Sequence, residues 1–267
     1  MASKDVICIG EDSFLGSFMK HGSFADRVGS VNLRAFEGRM QNLFADFEGQ
    51  DRLVVVWLIK DRDDVSEYTL LVSLLDRLRS LDVKNLKFIY VSSFAVYGRY
   101  KSSIDSGERL QKMVSNYGLQ KLRCEQLVKD YYDTTDATSI QIIRLPSFYD
   151  TEYPDAGICP WIQRFTTSFS EFDPRIYAPY FDQRLFLNFM DETLSEVDCG
   201  RQIVVTHLEK RLFFCQLEMR SGVPMKFKTW HVFLIRILAL LRVESCRKLL
   251  DILKIANLPN EDESAIS

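Results

Sequence analysis

Short, wholly apolar runs alternate along this chain with stretches whose apolar positions recur every three or four residues. Asp5-Val-Ile-Cys-Ile-Gly10 and Leu53-Val-Val-Val-Trp-Leu-Ile59 are of the first kind. A β-rich run with no polar face predicts a strand covered on both sides. Lys87-Phe-Ile-Tyr-Val91 predicts another, with Ser92 and Ser93 at its carboxyl end, and Ser139–Tyr149 and Gly200–Thr206 predict two more. A further strand is expected over Gly29–Arg34. Glu67–Leu81 is of the second kind, because Leu70, Leu71, Leu74, Leu75 and Leu78 share one side of a helix. Helices are also expected from the turn after Gly10 to about Gly22, over Phe36–Gln50, over Tyr117–Tyr131, and over Trp230–Arg242 and Cys246–Ile255. Strands alternating with helices predict an α/β fold with a doubly wound parallel sheet.

Composition narrows the partners. The 267 residues are 46% hydrophobic and 27% charged, enough to build a sizeable core. The net charge is −3 and the basic residues are scattered, so nucleic acid is not an expected partner. Cys8, Cys124, Cys159, Cys199, Cys215 and Cys246 are widely spaced, with no Cys-x-x-Cys, and there are only three His residues. No metal site is expected, and the thiols are read as reduced. Met-Ala-Ser-Lys-Asp leads straight into the first strand, so the expected location is cytoplasmic. The longest apolar run, Trp230–Leu241, contains His231 and Arg236 and is too short to span a membrane. Its polar face is too thin for a surface-lying helix, which favours burial in a lobe. The acidic tail from Pro259 is expected to be loose.

Three places carry candidate chemistry. Gly10-Glu-Asp-Ser-Phe-Leu-Gly16 joins a strand to a helix through glycines, the context in which a dinucleotide-binding turn occurs. Ser92 and Ser93 sit at the carboxyl end of a core strand, the edge of an open α/β sheet where ligands bind. Tyr117 and Lys121 are four residues apart and share a helix face. A phenol keeps its proton at neutral pH unless a neighbouring cation favours the phenolate, which is what a proton-shuttling acid/base needs.

Val91-Ser-Ser-Phe-Ala-Val-Tyr-Gly98, followed in order by Tyr117-Gly-Leu-Gln-Lys121 and Glu125, resembles the extended short-chain dehydrogenase/reductase family. That family contains nucleotide-sugar epimerases, dehydratases and reductases. The resemblance implies a Rossmann-like sheet with a small C-terminal substrate lobe. Residues 1–149 would form the dinucleotide-binding core and 150–267 mainly the lobe, with about 184–206 returning to the core. It implies Ser93, Tyr117 and Lys121 as catalytic residues. The family's Gly-x-x-Gly-Phe-Leu-Gly turn is matched at Gly10, Phe14, Leu15 and Gly16, with Ser13 in place of the middle glycine. These five residues, together with Tyr117 and Lys121, are the cofactor-binding set. Counting on from Gly16, the position expected to meet the adenosine ribose falls at or near Arg34, which suits a 2′-phosphate. NAD and NADP both remain open. Ser147 stands where the family has Asn in Leu-Arg-x-x-Asn-x-Tyr-Gly, and Arg184 opens a segment resembling its Arg-x-Phe-x-x-Val-x-Asp. Ser93, Ser147 and Arg184 are therefore the substrate-binding candidates.

The expected activity is an NAD(P)-dependent oxidoreductase or epimerase acting on a nucleotide-activated sugar. The C-terminal helices resemble those of family members in bacterial polysaccharide pathways. Phe94-Ala95 follow Ser93 where dehydratases often carry Asp-Glu, which argues against dehydration. A homodimer through Glu67–Leu81 and Tyr117–Tyr131 is possible, as in relatives. The alternative is a non-catalytic relative with a regulatory or assembly role, because Ser13, Ile59, Ser147 and Asp150 all depart from the family around the cofactor and substrate.

Overall fold

An extended backbone buried on both faces must find its hydrogen bonds in neighbouring strands, and the apolar runs of this chain do so. The computed structural model describes residues 5–31, 44, 47, 49–59, 66–97, 115–135, 138–157, 177–196 and 200–213. In chain order come β1 (Val6–Ile9), α1 (Phe14–Phe18), β2 (Val28–Val31), β3 (Arg52–Trp57), α2 (Glu67–Arg79) and β4 (Asn85–Ser93). There follow α3 (Asn116–Asp133), β5 (Thr138–Leu145), β6 (Ser147–Phe148), β7 (Tyr177–Phe181), α4 (Gln183–Ser195), β8 (Ile203–His207) and β9 (Lys210–Phe213). Arg34, most of the helix expected over 36–50, and both expected C-terminal helices lie outside the described residues.

Two compact units divide the chain. One comprises Met1–Val96, Asn116–Leu145 and Gln183–Leu208, and the other Tyr97–Ser115, Pro146–Asp182 and Glu209–Ser267. The first unit holds a six-stranded sheet in the order β2-β1-β3-β4-β5-β8. Every pairing in it is parallel. This is the Rossmann-like doubly wound sheet expected from the alternation of runs. In the second unit β6 pairs with β7 in parallel, and β7 pairs with β9 antiparallel.

Side-chain alternation assigns the two faces of the large sheet. Leu53, Val55 and Trp57 of β3 and Leu86, Phe88 and Tyr90 of β4 share one cluster with Leu71, Leu74 and Leu78 of α2 and Cys124, Val128 and Tyr131 of α3. The opposite phase of β4 carries Lys87, whose ammonium donates to Thr193 O of α4 at 2.8 Å and to Glu196 Oε2 at 2.7 Å. Helix α4 therefore covers the other face, presenting Phe186, Met190 and Leu194. Its last carbonyls are met by cations from the amino ends of the strands. Arg52 donates to Leu194 O (2.7 Å) and Glu196 O (3.0 Å), and Arg27 reaches Leu194 O at 3.4 Å. Orphan carbonyls at a helix C-terminus favour such donors and their charge.

Helix α1 is shorter than the expected helix to Gly22. After Phe18 the chain turns instead to bury Met19 and Phe24. Ser23 hydrogen-bonds Asp191 of α4, and the Phe18 and Phe186 rings lie 6.3 Å apart. Cys8 is fully buried in β1, and burial together with the charge of Glu11 pushes its thiol up to about 12.

Two outcomes are expected. Leu74→Ala removes a side chain with no exposed surface from the α2 stripe, and urea denaturation should read a loss of about 2–5 kcal/mol. Cys8 should resist alkylation at pH 8 in the native protein and react at once in denaturant, as mass spectrometry would read.

Candidate functional site

The site is built from the carboxyl ends of β1, β3 and β4 and the first turns of α3. The turn after β1 has the tightness that a dinucleotide cradle requires. Gly10 adopts φ +102°, a region that favours glycine. A Cβ on Gly16 would lie 2.2 Å from Gly10 O and 2.6 Å from Glu11 Cα, so any larger residue there would push the turn apart. Ser13 has ordinary extended backbone, φ −76° and ψ 160°. Its hydroxyl folds back as the N-cap of α1 and accepts the Gly16 N–H at 3.0 Å. The backbone at Ser13 thus needs no glycine. Phe14 is exposed and Leu15 half-buried. The turn keeps its close backbone approach at Gly16, and its serine satisfies an N–H that a bare glycine would leave open.

Two buried charge networks fix α3 on the sheet. Gly118, Lys121, Cys124, Glu125, Val128 and Tyr131 form its buried face, so two charged residues lie in phase with the apolar ones. Glu125 takes a bidentate bond from Arg144 of β5, Nε to Oε1 at 3.0 Å and a terminal nitrogen to Oε2 at 2.6 Å. Ser92 donates its hydroxyl to the same Glu125 Oε1 at 2.6 Å. With both charges buried, pairing and extra hydrogen bonds are what make the arrangement tolerable. His207 lies opposite Arg144 in the β5–β8 register and stands edge-on to Phe94, centroids 5.6 Å apart. Burial, then the Arg144 charge, lowers its basicity below the ordinary 6.5, against a smaller opposing pull from Glu125.

The second network contains Lys121. Its ammonium is buried and donates to Glu67 Oε1 at 2.7 Å, Ile59 O at 3.2 Å and Val91 O at 3.2 Å. Glu67 Oε1 also accepts from Trp57 Nε1 at 3.2 Å and Tyr90 hydroxyl at 3.0 Å. Trp57 and Tyr90 are register partners on β3 and β4. Burial, then the negative charge of Glu67, keeps the Tyr90 phenol protonated far above the ordinary range, so it remains a donor.

Among the expected catalytic residues, Ser93 closes β4, and its hydroxyl accepts the Ala95 N–H at 3.2 Å. Tyr117 is half-buried in the first turn of α3. Lys121→Val91 O and Ser92→Glu125 tie that helix to the end of β4 from either side of Val91–Ser93. Arg184 is exposed in the first turn of α4, and Ser147 is exposed at the start of β6 in the second unit. Glu67 was read from sequence only as a helix start. It lies three and four residues before Leu70 and Leu71, in phase with the buried stripe, and an acid in that phase is the signal that marks it.

The fold has counterparts among known proteins. Residues 55–168 match the model of the NAD dependent epimerase/dehydratase family. No curated protein matches the chain in sequence. Among solved structures, UDP-glucuronic acid 4-epimerase from Bacillus cereus in complex with NAD is similar, with 15% identity and a TM-score of 0.57, covering 78% of this chain and 79% of that one. UDP-N-acetylglucosamine 4-epimerase from Methanobrevibacter ruminantium M1 has 15% identity and a TM-score of 0.55 over 96% and 97% of the two chains. The dTDP-4-dehydrorhamnose reductase from Yersinia enterocolitica has 13% identity and a TM-score of 0.52 over 78% and 76%. The likeness of this chain to the extended short-chain dehydrogenases/reductases therefore holds in both sequence and fold.

Two further outcomes follow from the networks. Glu125→Gln leaves a buried guanidinium without its counter-charge and should cost about 3–5 kcal/mol by urea denaturation. For His207, whose basicity is depressed in the folded state, the unfolded chain binds the proton first as pH falls through 6.5. Its contribution is thus fully present above that pH and lost below it. His207→Gln should flatten the decline of stability on acidification below 6.5 and leave stability at pH 8 little changed.

Proposed function

We propose that this protein is an NAD(P)-dependent epimerase or reductase acting on a nucleotide-activated sugar. The observation that supports this reading is the double tie between α3, the helix of Tyr117, and β4, the strand that Ser93 closes: Lys121 donates to Val91 O and Ser92 to Glu125. The family match over 55–168 and the NAD and UDP-sugar complexes of similar folds support it. Gly10, Ser13, Phe14, Leu15 and Gly16 are the residues to hold the cofactor diphosphate, and Arg34 is the one to meet the adenosine ribose. Arg184 and Ser147 are the proposed sugar-nucleotide contacts. When bound, the nicotinamide supplies hydride exchange with a sugar carbon.

The chain's own residues handle the proton. Tyr117 exchanges the proton of the reacting hydroxyl, and Ser93 hydrogen-bonds the same oxygen. Moving the proton together with the hydride keeps charge from accumulating on the carbonyl. Lys121 supplies positive charge one helical turn from Tyr117 and reaches the ribose only by giving up one of its three present partners. Phe94-Ala95 after Ser93 favours epimerisation or reduction over dehydration. Surface polysaccharide biosynthesis in the cytoplasm, by a homodimer paired through α2 and α3, is the setting this reading implies.

The second reading is a non-catalytic relative with a regulatory or assembly role. The saturated Lys121 ammonium and the Ser13 hydroxyl turned onto Gly16 are the observations that favour it. Millimolar NADH or NADPH should raise the melting temperature by several degrees, since ligand at about 100 times Kd adds about 2.7 kcal/mol. Tyr117→Phe should retain that shift and lose about 100-fold or more in turnover with UDP-sugars. A wild-type protein that neither shifts nor turns over supports the non-catalytic role.

A further inference from the structure

Lys121 spends every proton of its ammonium inside the protein. Glu67 Oε1, Ile59 O and Val91 O take one each, and the group lies 5.1 Å from the centre of the Tyr90 ring. The shortest of these bonds is the charged one to Glu67, at 2.7 Å. Glu67 is held in turn by Trp57 and Tyr90, both fully buried, so it has no slack with which to follow a departing ammonium. Ile59 links this network to the glycine turn, because a Cβ on Gly10 would lie 3.3 Å from Ile59 Cγ1. The proposed dinucleotide turn and the proposed ribose-binding lysine are thus separated by a single buried side chain.

We propose that Glu67 is a positioning residue that retains Lys121 in the sheet and competes with the cofactor's ribose hydroxyl for its ammonium. A carboxylate is the stronger acceptor. That preference, at 2.7 Å, holds Lys121 where it is, and dinucleotide affinity is low as a result. The proposal rests on the reading of this site as dinucleotide-binding.

Glu67→Gln is the direct test. The amide keeps one oxygen for Trp57, Tyr90 and Lys121, removes the charge and exchanges the second carboxylate oxygen for an NH2 donor. Binding of NADH and NADPH by the full chain is measured by calorimetric titration, beside the melting temperature. The expected result is a Kd about tenfold lower than wild type, the scale of one hydrogen bond to a charged group. A purely structural Glu67 would lower the melting temperature and leave Kd within about twofold, which would overturn the proposal. If wild type binds neither nucleotide at millimolar concentration but Glu67→Gln binds one, the competition is real and the active-enzyme reading is what fails. If no form binds, both fall.

Should Glu67→Gln not fold, Glu67→Asp keeps the charge and draws the carboxylate back from Lys121 by one methylene. Competition predicts a Kd about threefold lower than wild type, because the ammonium is held less firmly. A Kd that is unchanged or raised would overturn the proposal.

Discussion

A lysine ammonium enclosed by a parallel sheet and two helices must be neutralised by something in the core. Here that neutralisation decides how β3, β4, α2 and α3 fit together. Moving the Lys121 charge out of water is costly, and only a counter-ion with good geometry offsets the cost. Glu67 supplies it from the first turn of α2, Trp57 and Tyr90 brace Glu67 from neighbouring strands, and backbone carbonyls of Ile59 and Val91 take the remaining protons. The Glu125–Arg144–Ser92 group does the same work one turn further along α3. Between them the two networks set the rotation of α3 about its axis.

This arrangement places constraint and chemistry on the same residues. The lysine that the family resemblance assigns to the cofactor is also the cation on which the packing of α2 depends. A residue with two such demands compromises between them, and polar groups buried for function commonly weaken the packing they interrupt. The glycine turn has a similar tension. Its close approach at Gly16 is kept, but the capping bond of Ser13 stabilises the short α1 helix with a donor that otherwise faces a ligand.

Much of the sheet was legible because strands covered on both faces leave no polar alternation to confuse them. β1, Leu53–Trp57 of β3 and Phe88–Val91 of β4 are unbroken apolar runs, and the Leu stripe of α2 has helical spacing. β7 was not legible. Tyr177-Ala-Pro-Tyr-Phe181 contains a proline, which argues against an interior strand. β6 pairs only with Tyr180 and Phe181, so Pro179 lies outside that ladder and is paired on one side alone, opposite Arg211 of β9. Likewise Pro146 divides the expected strand over Ser139–Tyr149 into β5 and β6, which belong to different sheets. Of the site, the positions of Tyr117, Lys121 and Ser93 along their elements could be read from motif spacing. The partner of Lys121 could not, since Glu67 is 54 residues away in sequence and only the folded register brings it close.

The cation cluster beneath the sheet bears on how the chain comes to be folded during synthesis. Lys87 lies in the first third of the chain, in a central strand, yet its acceptors Thr193 and Glu196 emerge more than 100 residues later. Until α4 leaves the ribosome, that strand lacks both of these acceptors for a charge set beside Ile89 and Val91. The nascent Rossmann half is therefore an unfinished body, dependent on a segment that arrives after the entire stretch assigned to the second unit from Pro146 to Asp182. A chaperone that shields the β4 face during that interval would be guarding a surface absent from the finished protein.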